Sequence, residues 1–168
     1  QPAEGHYWTM AASYRASFNP QGIQLVRHGR RAAIRLPGAK LHWRAEGGLA
    51  GQVHVLGTES RLYTGAAAIR AREAFQGVDI VIRLRDGRLK SEFLLAPGVS
   101  PAMATYCMEG ATIEADSAGK ALRINAGGGW EWEENSLESW QTDVDGSRIP
   151  IATRFHVDGQ CVRFQTAG

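Results

Sequence analysis

The stretch Trp130-Glu131-Trp132-Glu133-Glu134, followed by Glu138 and Trp140, is the most unusual concentration of rings and carboxylates in the chain. On a strand, successive side chains point to opposite faces, so Trp130 and Trp132 share one face and Glu131 and Glu133 the other. Exposed rings stack on sugars, and carboxylates beside them accept hydroxyl hydrogen bonds. Trp130, Trp132, Trp140, Glu131 and Glu133 are therefore candidate glycan-binding residues. The competing reading buries the two tryptophans and leaves the glutamates solvated, because large aromatic side chains are mostly buried.

Catalytic constellations are sparse. A glycosidase needs two carboxylates about 5 to 9.5 Å apart. Asp79 and Glu92 flank the turn Asp86-Gly87. If those two residues form the tip of a hairpin, residue i faces residue 173 − i. Asp79 then faces Leu94 and Glu92 faces Val81, so the two acids are diagonal at best. A structural role for Asp79, capping a backbone group or anchoring the strand entry, is the better expectation. No serine sits in a nucleophile elbow. Gly127-Gly128-Gly129 has no following helix pattern and reads as a turn rather than a phosphate loop. Asp143, Asp145 and Gly146 lack the spacing and terminal Glu of an EF-hand. No catalytic residue, cofactor or metal ligand is assigned, and a non-enzyme is expected.

Cys107 and Cys161 are the two cysteines, and neither belongs to a CxxC pair. The five histidines show no short ligand spacing, which argues against structural zinc. The cysteines are either two buried thiols or one disulfide, the latter fitting an exported protein. Gln1-Pro2-Ala3-Glu4 has the look of a mature end left by a signal peptidase. A secreted or cell-surface location is expected.

The elements that must position these residues are short and turn-rich. The chain has 20 glycines among 168 residues, about 12% against about 7% in average proteins. No Gly-X-Y period exists, and long stretches free of Gly and Pro are rare, so collagen and long helices are excluded. No apolar run approaches the 18 or so residues of a membrane span. Val78–Leu84 and Leu89–Leu95 around Asp86-Gly87 predict a type I′ hairpin. Arg154–Phe164 predicts a second hairpin at Asp158-Gly159. Further strands are expected near 23–27, 32–36, 40–45, 52–56, 104–108, 112–115, 121–125, 130–133, 137–141 and 149–157. In the segment 52–56, Val53 and Val55 would share a face with His54 opposite. The segment 57–77 is read as loop plus strand. The expected fold is all-β, an antiparallel sandwich or barrel-like meander. Residues 1–18 form an N-terminal arm or edge strand, and 19–168 form a single β-rich domain.

Charge is unevenly distributed. Residues 1–106 hold 14 basic and 7 acidic side chains, whereas 107–168 hold 5 and 10. The run from Arg27 to Arg44 contains six basic residues and no acid. This describes either solvated, internally complementary sheets or a bipolar molecule that associates head to tail or meets an acidic polymer. Nucleic acid is not expected as a partner, because no recognition motif is present.

From Phe75 onward, the order of short motifs resembles that of a known family. Phe75-Gln76-Gly77-Val78-Asp79-Ile80-Val81 is similar to "yPGIDlvyy". Arg88–Gly98 is similar to "gqLeyDFvvaPGadP", with Glu92-Phe93 in place of the family's DF pair. Met108-Glu109-Gly110-Ala111 is similar to "feGA", and Trp140-Gln141 with Val144-Asp145-Gly146 to "YQ..dG". Over roughly residues 60–168 the chain resembles a divergent member of an uncharacterised bacterial extracellular domain family that often precedes SBBP-type β-propeller repeats. The resemblance implies export, a surface location and a β-rich fold, and it carries no catalytic residues.

These readings converge on an extracellular structural or interaction module, with self-assembly into a surface filament or adhesive as its sharper form. Its partners would be proteins, itself or another surface protein. Tyr7, Trp8, Tyr14 and Phe18 are the candidate assembly residues, because an apolar-aromatic segment can add as a strand to an open sheet edge. A carbohydrate-binding module, taking a polysaccharide on the Trp/Glu face, is the alternative.

Overall fold

The computed structural model describes residues 7–55 and 61–166, with side chains placed except in 49–55 and 61–65. The first four residues, and the alternation expected of Val53, His54 and Val55, lie outside what is described.

Sixteen strands are present among the described residues, together with one 3₁₀ turn at Pro101–Met103 and no α-helix. One antiparallel sheet of seven strands joins β1 (Tyr7–Met10), β2 (Arg15–Asn19), β3 (Gly22–Arg27), β4 (Arg30–Arg35), β9 (Tyr106–Glu109), β16 (Cys161–Thr166) and β15 (Thr153–Asp158), in that spatial order. A second sheet orders β5 (Trp43–Val55), β6 (Arg61–Phe75), β7 (Val78–Arg85) and β8 (Arg88–Leu95). A third holds β10 (Thr112–Ala115), β11 (Leu122–Asn125) and β12 (Glu131–Glu134). The strands β13 (Trp140–Thr142) and β14 (Arg148–Pro150) pair as an exposed hairpin. Among the described residues the architecture is all-β and sandwich-like, without a closed barrel.

The long hairpin forms in the expected register. Asp79 faces Leu94 and Val81 faces Glu92. Asp86 and Gly87 both take positive φ, 50° and 71°, as a type I′ turn requires. The second hairpin forms with its turn one residue later. Asp158 pairs with Cys161, so Gly159-Gln160 is the two-residue loop. Only Gly159 has positive φ there, which suits a II′ turn with glycine first.

One expected break does not occur. The strands expected at 40–45 and 52–56 belong to one strand, β5: Gly48 pairs with Ala66 in the same register as Glu46 with Ala68, and the pairing with β6 resumes at Gln52 after a bulge-like register shift. A bulge of this kind lets a strand continue past residues that would otherwise end it. The segment 57–77, read as loop plus strand, holds the 15-residue strand β6, and its first residues, 57–60, lie outside the described residues.

The core lies between the large sheets and extends under the third. Phe18, Ile23 and Leu25 from one sheet, Val78, Ile80 and Ile82 from the second, and Ile113, Leu122 and Ile124 from the third belong to one buried cluster. Aromatic contacts cross the gap. Phe93 of β8 meets Phe164 of β16 at 5.2 Å between ring centroids. Trp43 of β5 sets its ring edgewise to Phe18, and its indole N–H donates to the Asn19 carbonyl at 2.9 Å. Phe18 is 1% exposed, so residues 15–18 are integral to the seven-stranded sheet and the boundary at residue 18 falls inside β2.

Candidate functional site

The tryptophan pair faces inward. In β12 Trp132 lies opposite Ile124, a core residue, and is half-buried. Trp130 is 3% exposed, with its ring 5.3 Å from that of Trp132. It closes the Gly127–Gly129 turn, donating its N–H to the Gly127 carbonyl and accepting from Ala126 N–H. All three glycines there have positive φ, so the triplet is a turn. Trp130 therefore has almost no ring surface to offer a sugar, and Trp132 offers only part of its ring. Glu131 and Glu133 do face solvent, beside Glu114 and Arg123 of the neighbouring strands. Glu131 accepts a hydrogen bond from the Asn125 side-chain amide at 2.6 Å. Trp140 stands apart on the exposed β13–β14 hairpin, with the Arg148 guanidinium 4.3 Å from its ring centroid.

Glu134 ends β12 on the inward face, opposite Leu122. The residue as a whole is exposed, with the Lys90 ammonium and the Tyr106 hydroxyl acting on its carboxyl. Desolvation pushes the carboxyl above its usual value, and Lys90 and the Tyr106 hydroxyl pull it back. Burial and the Glu134 charge hold Tyr106 well above the ordinary tyrosine value.

The four assembly candidates divide. Phe18 is core, and Tyr14 packs against the core with its hydroxyl accepting from Leu89 N–H at 3.2 Å. Tyr7 is half-buried against the same cluster. Trp8 is 43% exposed and, with Met10, points to the outer face of β1. Phe18 is thus turned into the core and Tyr14 is engaged with it, which leaves Trp8 as the exposed member of the four. The strand β1 itself is at the end of its sheet. Ala11 N–H bonds to the Tyr14 carbonyl, so in the antiparallel alternation Trp8 and Met10 turn their backbone groups away from β2. The other end of the sheet is covered. Phe155 N–H of β15 donates to the Gly119 carbonyl at 2.7 Å, and Lys120 Nζ donates to the Thr153 carbonyl.

No acid–base pair forms from Asp79 and Glu92. One Asp79 oxygen accepts Glu73 N–H at 2.7 Å, and the other accepts Arg70 Nε and Nη2 at 3.1 and 2.8 Å. Glu73 has φ +47° inside the irregularity between Ala71 and Phe75. Asp79 therefore anchors a bulge. Glu92 sits 3.4 Å from Arg83 Nε. Asp143 and Asp145 satisfy their own turn, accepting from Val144 N–H at 2.7 Å and Ser147 N–H at 2.8 Å. Among the described residues no group of three His, Cys, Asp or Glu side chains could hold a metal.

Cys107 and Cys161 are directly opposed on β9 and β16 and form a disulfide. The bridge is on the outer face, since Tyr106, Met108 and Val162 point inward. Around it, that face carries Arg15, Arg31, Arg35, Arg154, Arg163 and His156 against Glu109 and Asp158. The basic run was visible in the sequence, but its joining to Glu109 across β4 and β9 was not.

The described residues form an antiparallel, disulfide-bridged β domain with a basic sheet face. The chain belongs to the family described as a domain of unknown function (DUF7948), whose model matches residues 7–168. No curated protein and no solved structure matches it.

Proposed function

We propose that this domain is a non-catalytic interaction module of an exported bacterial surface protein that joins copies of itself by strand addition at β1. The observation that carries the reading is the asymmetry of the seven-stranded sheet. One end strand is bridged by the Gly119-Lys120 turn, and on the other the Met10 backbone points away from β2. An exposed edge is a template for pairing unless it is blocked. The cross-strand disulfide fits an oxidising compartment. The motif resemblance supports a module that precedes SBBP-type propeller repeats. Charge adds direction, since the outer face of the seven-stranded sheet is basic while the third sheet displays Glu114, Glu131 and Glu133.

The test uses the full chain at rising concentration, by sedimentation velocity and electron microscopy. Met10→Pro removes one outward N–H without breaking a bond to β2, and proline is tolerated on edge strands. The wild type should form concentration-dependent assemblies, and Met10→Pro should stay monomeric with an unchanged melting temperature. A wild type that remains monomeric throughout, or a folded Met10→Pro that assembles normally, overturns the reading.

A further inference from the structure

We propose that the outer face of the seven-stranded sheet carries a binding site for an acidic sugar, a uronate unit of a polysaccharide, centred on Ala33. This site is separate from the β1 edge and does not depend on it.

Ala33 is on β4 with only a methyl group to offer the outer face. Gln24 of β3 lies opposite it on one side, and Glu109 of β9 on the other. Arg31 and Arg35 stand two residues away in each direction on β4, and side chains two apart share a face. A small residue is thus ringed by four polar ones, with Val26 completing the wall. The result is an open pit of about 220 Å³. The turn that closes one side needs Gly110, whose φ is +74°. A Cβ there would stand 2.7 Å from the Arg31 carbonyl oxygen.

The chemistry of the ring is specific. Arg35 is committed, with Nε 2.9 Å from Glu109 and Nη1 3.4 Å from the Gln21 carbonyl. Arg31 is exposed and makes no ion pair among the described residues. Its guanidinium is the group an incoming carboxylate would meet, and a planar fork suits a carboxylate bidentately. The Gln24 amide donates and accepts, while the Glu109 carboxylate accepts, which suits hydroxyls on a ring. Strands repeat at about 4.8 Å, so the β3 and β9 backbones stand about 10 Å apart, roughly the width of a pyranose with its hydroxyls. The Ala33 methyl supplies an apolar floor, and Val26 adds apolar surface to the wall. A ligand with carboxylates alone gains nothing from Glu109 and is repelled by it. The surrounding Arg15, Arg154 and Arg163 exceed the acids on that face and would raise the local concentration of a polyanion.

The experiment is isothermal titration calorimetry of the full chain with oligogalacturonate. Its neutral methyl ester and a poly-glutamate peptide are the comparison probes. Saturable binding of oligogalacturonate is expected, with none for the ester. Arg31→Gln removes the free guanidinium, and Ala33→Leu fills the pit without changing charge. Each should weaken binding about tenfold or more, the loss expected of a bidentate charged contact. Arg154→Gln, on the same face but outside the pit, should change it less than about twofold, as expected of screened long-range charge. Gln24→Leu replaces Ala33→Leu as the neutral variant if the latter fails to fold. The proposal is overturned if oligogalacturonate does not saturate, if poly-glutamate or the ester binds as tightly, or if Arg154→Gln costs as much as Arg31→Gln. Normal binding by a folded pit-filling variant overturns it too.

Discussion

Asp79 holds Arg70 with two hydrogen bonds, 3.1 and 2.8 Å, through one carboxylate oxygen while its other oxygen secures Glu73 N–H. Burial works against the Asp79 charge, but the Glu73 N–H and the Arg70 guanidinium outweigh it and hold the carboxyl below its usual value. A carboxyl depressed in the folded state stabilises the fold above its unfolded value, and that contribution is lost as pH falls through the folded value. Asp79→Ala should therefore cost about 2 kcal/mol at neutral pH, the scale for a charge-assisted network losing its acceptor. Asp79→Asn should cost less, since an amide oxygen still accepts Glu73 N–H. Urea melts between neutral pH and pH 3 check both points, and the variants should lose less stability on acidification than the wild type.

Local patterns carried this part of the fold. Asp86-Gly87 between alternating apolar runs specified the β7–β8 register to the residue, because the turn and the two-residue period act within one hairpin. The pairing of β4 with β9 was not legible, since about 70 residues separate Arg35 from Cys107 in the chain and no local signal encodes that closure. The pit at Ala33 depends on that pairing. The arginines on β4 were visible as a basic run, but Glu109 and Gln24 join them only in three dimensions. The tryptophans show the opposite limit. Alternation correctly put Trp130 and Trp132 on one face, yet alternation cannot say which face is covered. The Ile124 pairing decides it.

The disulfide closes 54 residues of chain. On the chain-entropy account a loop of that length contributes about 4 kcal/mol. A Cys107→Ser, Cys161→Ser double variant should lose up to that amount, read from the shift in urea midpoint at constant slope. Exposure of the oxidised wild type to a thiol reductant should reproduce the double variant. A double variant as stable as the wild type would show that the β9–β16 pairing holds without the bridge.

The N-terminal aromatics should separate by mutation. Phe18 is in the core against Trp43, so Phe18→Ala should cost about 3–5 kcal/mol, the usual range for a buried phenylalanine. Trp8→Ala should cost clearly less than Phe18→Ala in the monomer, because Trp8 is 43% exposed. If β1 mediates assembly, the same Trp8→Ala lowers the assembly constant. Thermal melts at low concentration read the first effect, and sedimentation at high concentration reads the second.

Glu134 should give a pH response opposite in sign to that of Asp79. Its carboxyl faces inward at the end of β12, where desolvation raises it and the Lys90 charge and Tyr106 hydroxyl offset that only in part. A carboxyl whose folded value lies above its unfolded value binds more protons in the native state. Stability then falls as pH rises from the unfolded value through the folded one, and it recovers on acidification through the same window. Glu134→Gln removes the charge while keeping an acceptor for the Tyr106 hydroxyl. The variant should match or exceed wild-type stability at neutral pH, and the advantage should vanish as the pH is lowered past the carboxylate range. Glu134→Ala opens a gap beside Tyr106 and should be less stable than Glu134→Gln at every pH. Melting temperatures of the three proteins across pH 4 to 8 check the order. A Glu134→Gln variant that is clearly destabilised at neutral pH would mean that the charged carboxylate, held by Lys90, is what the site favours.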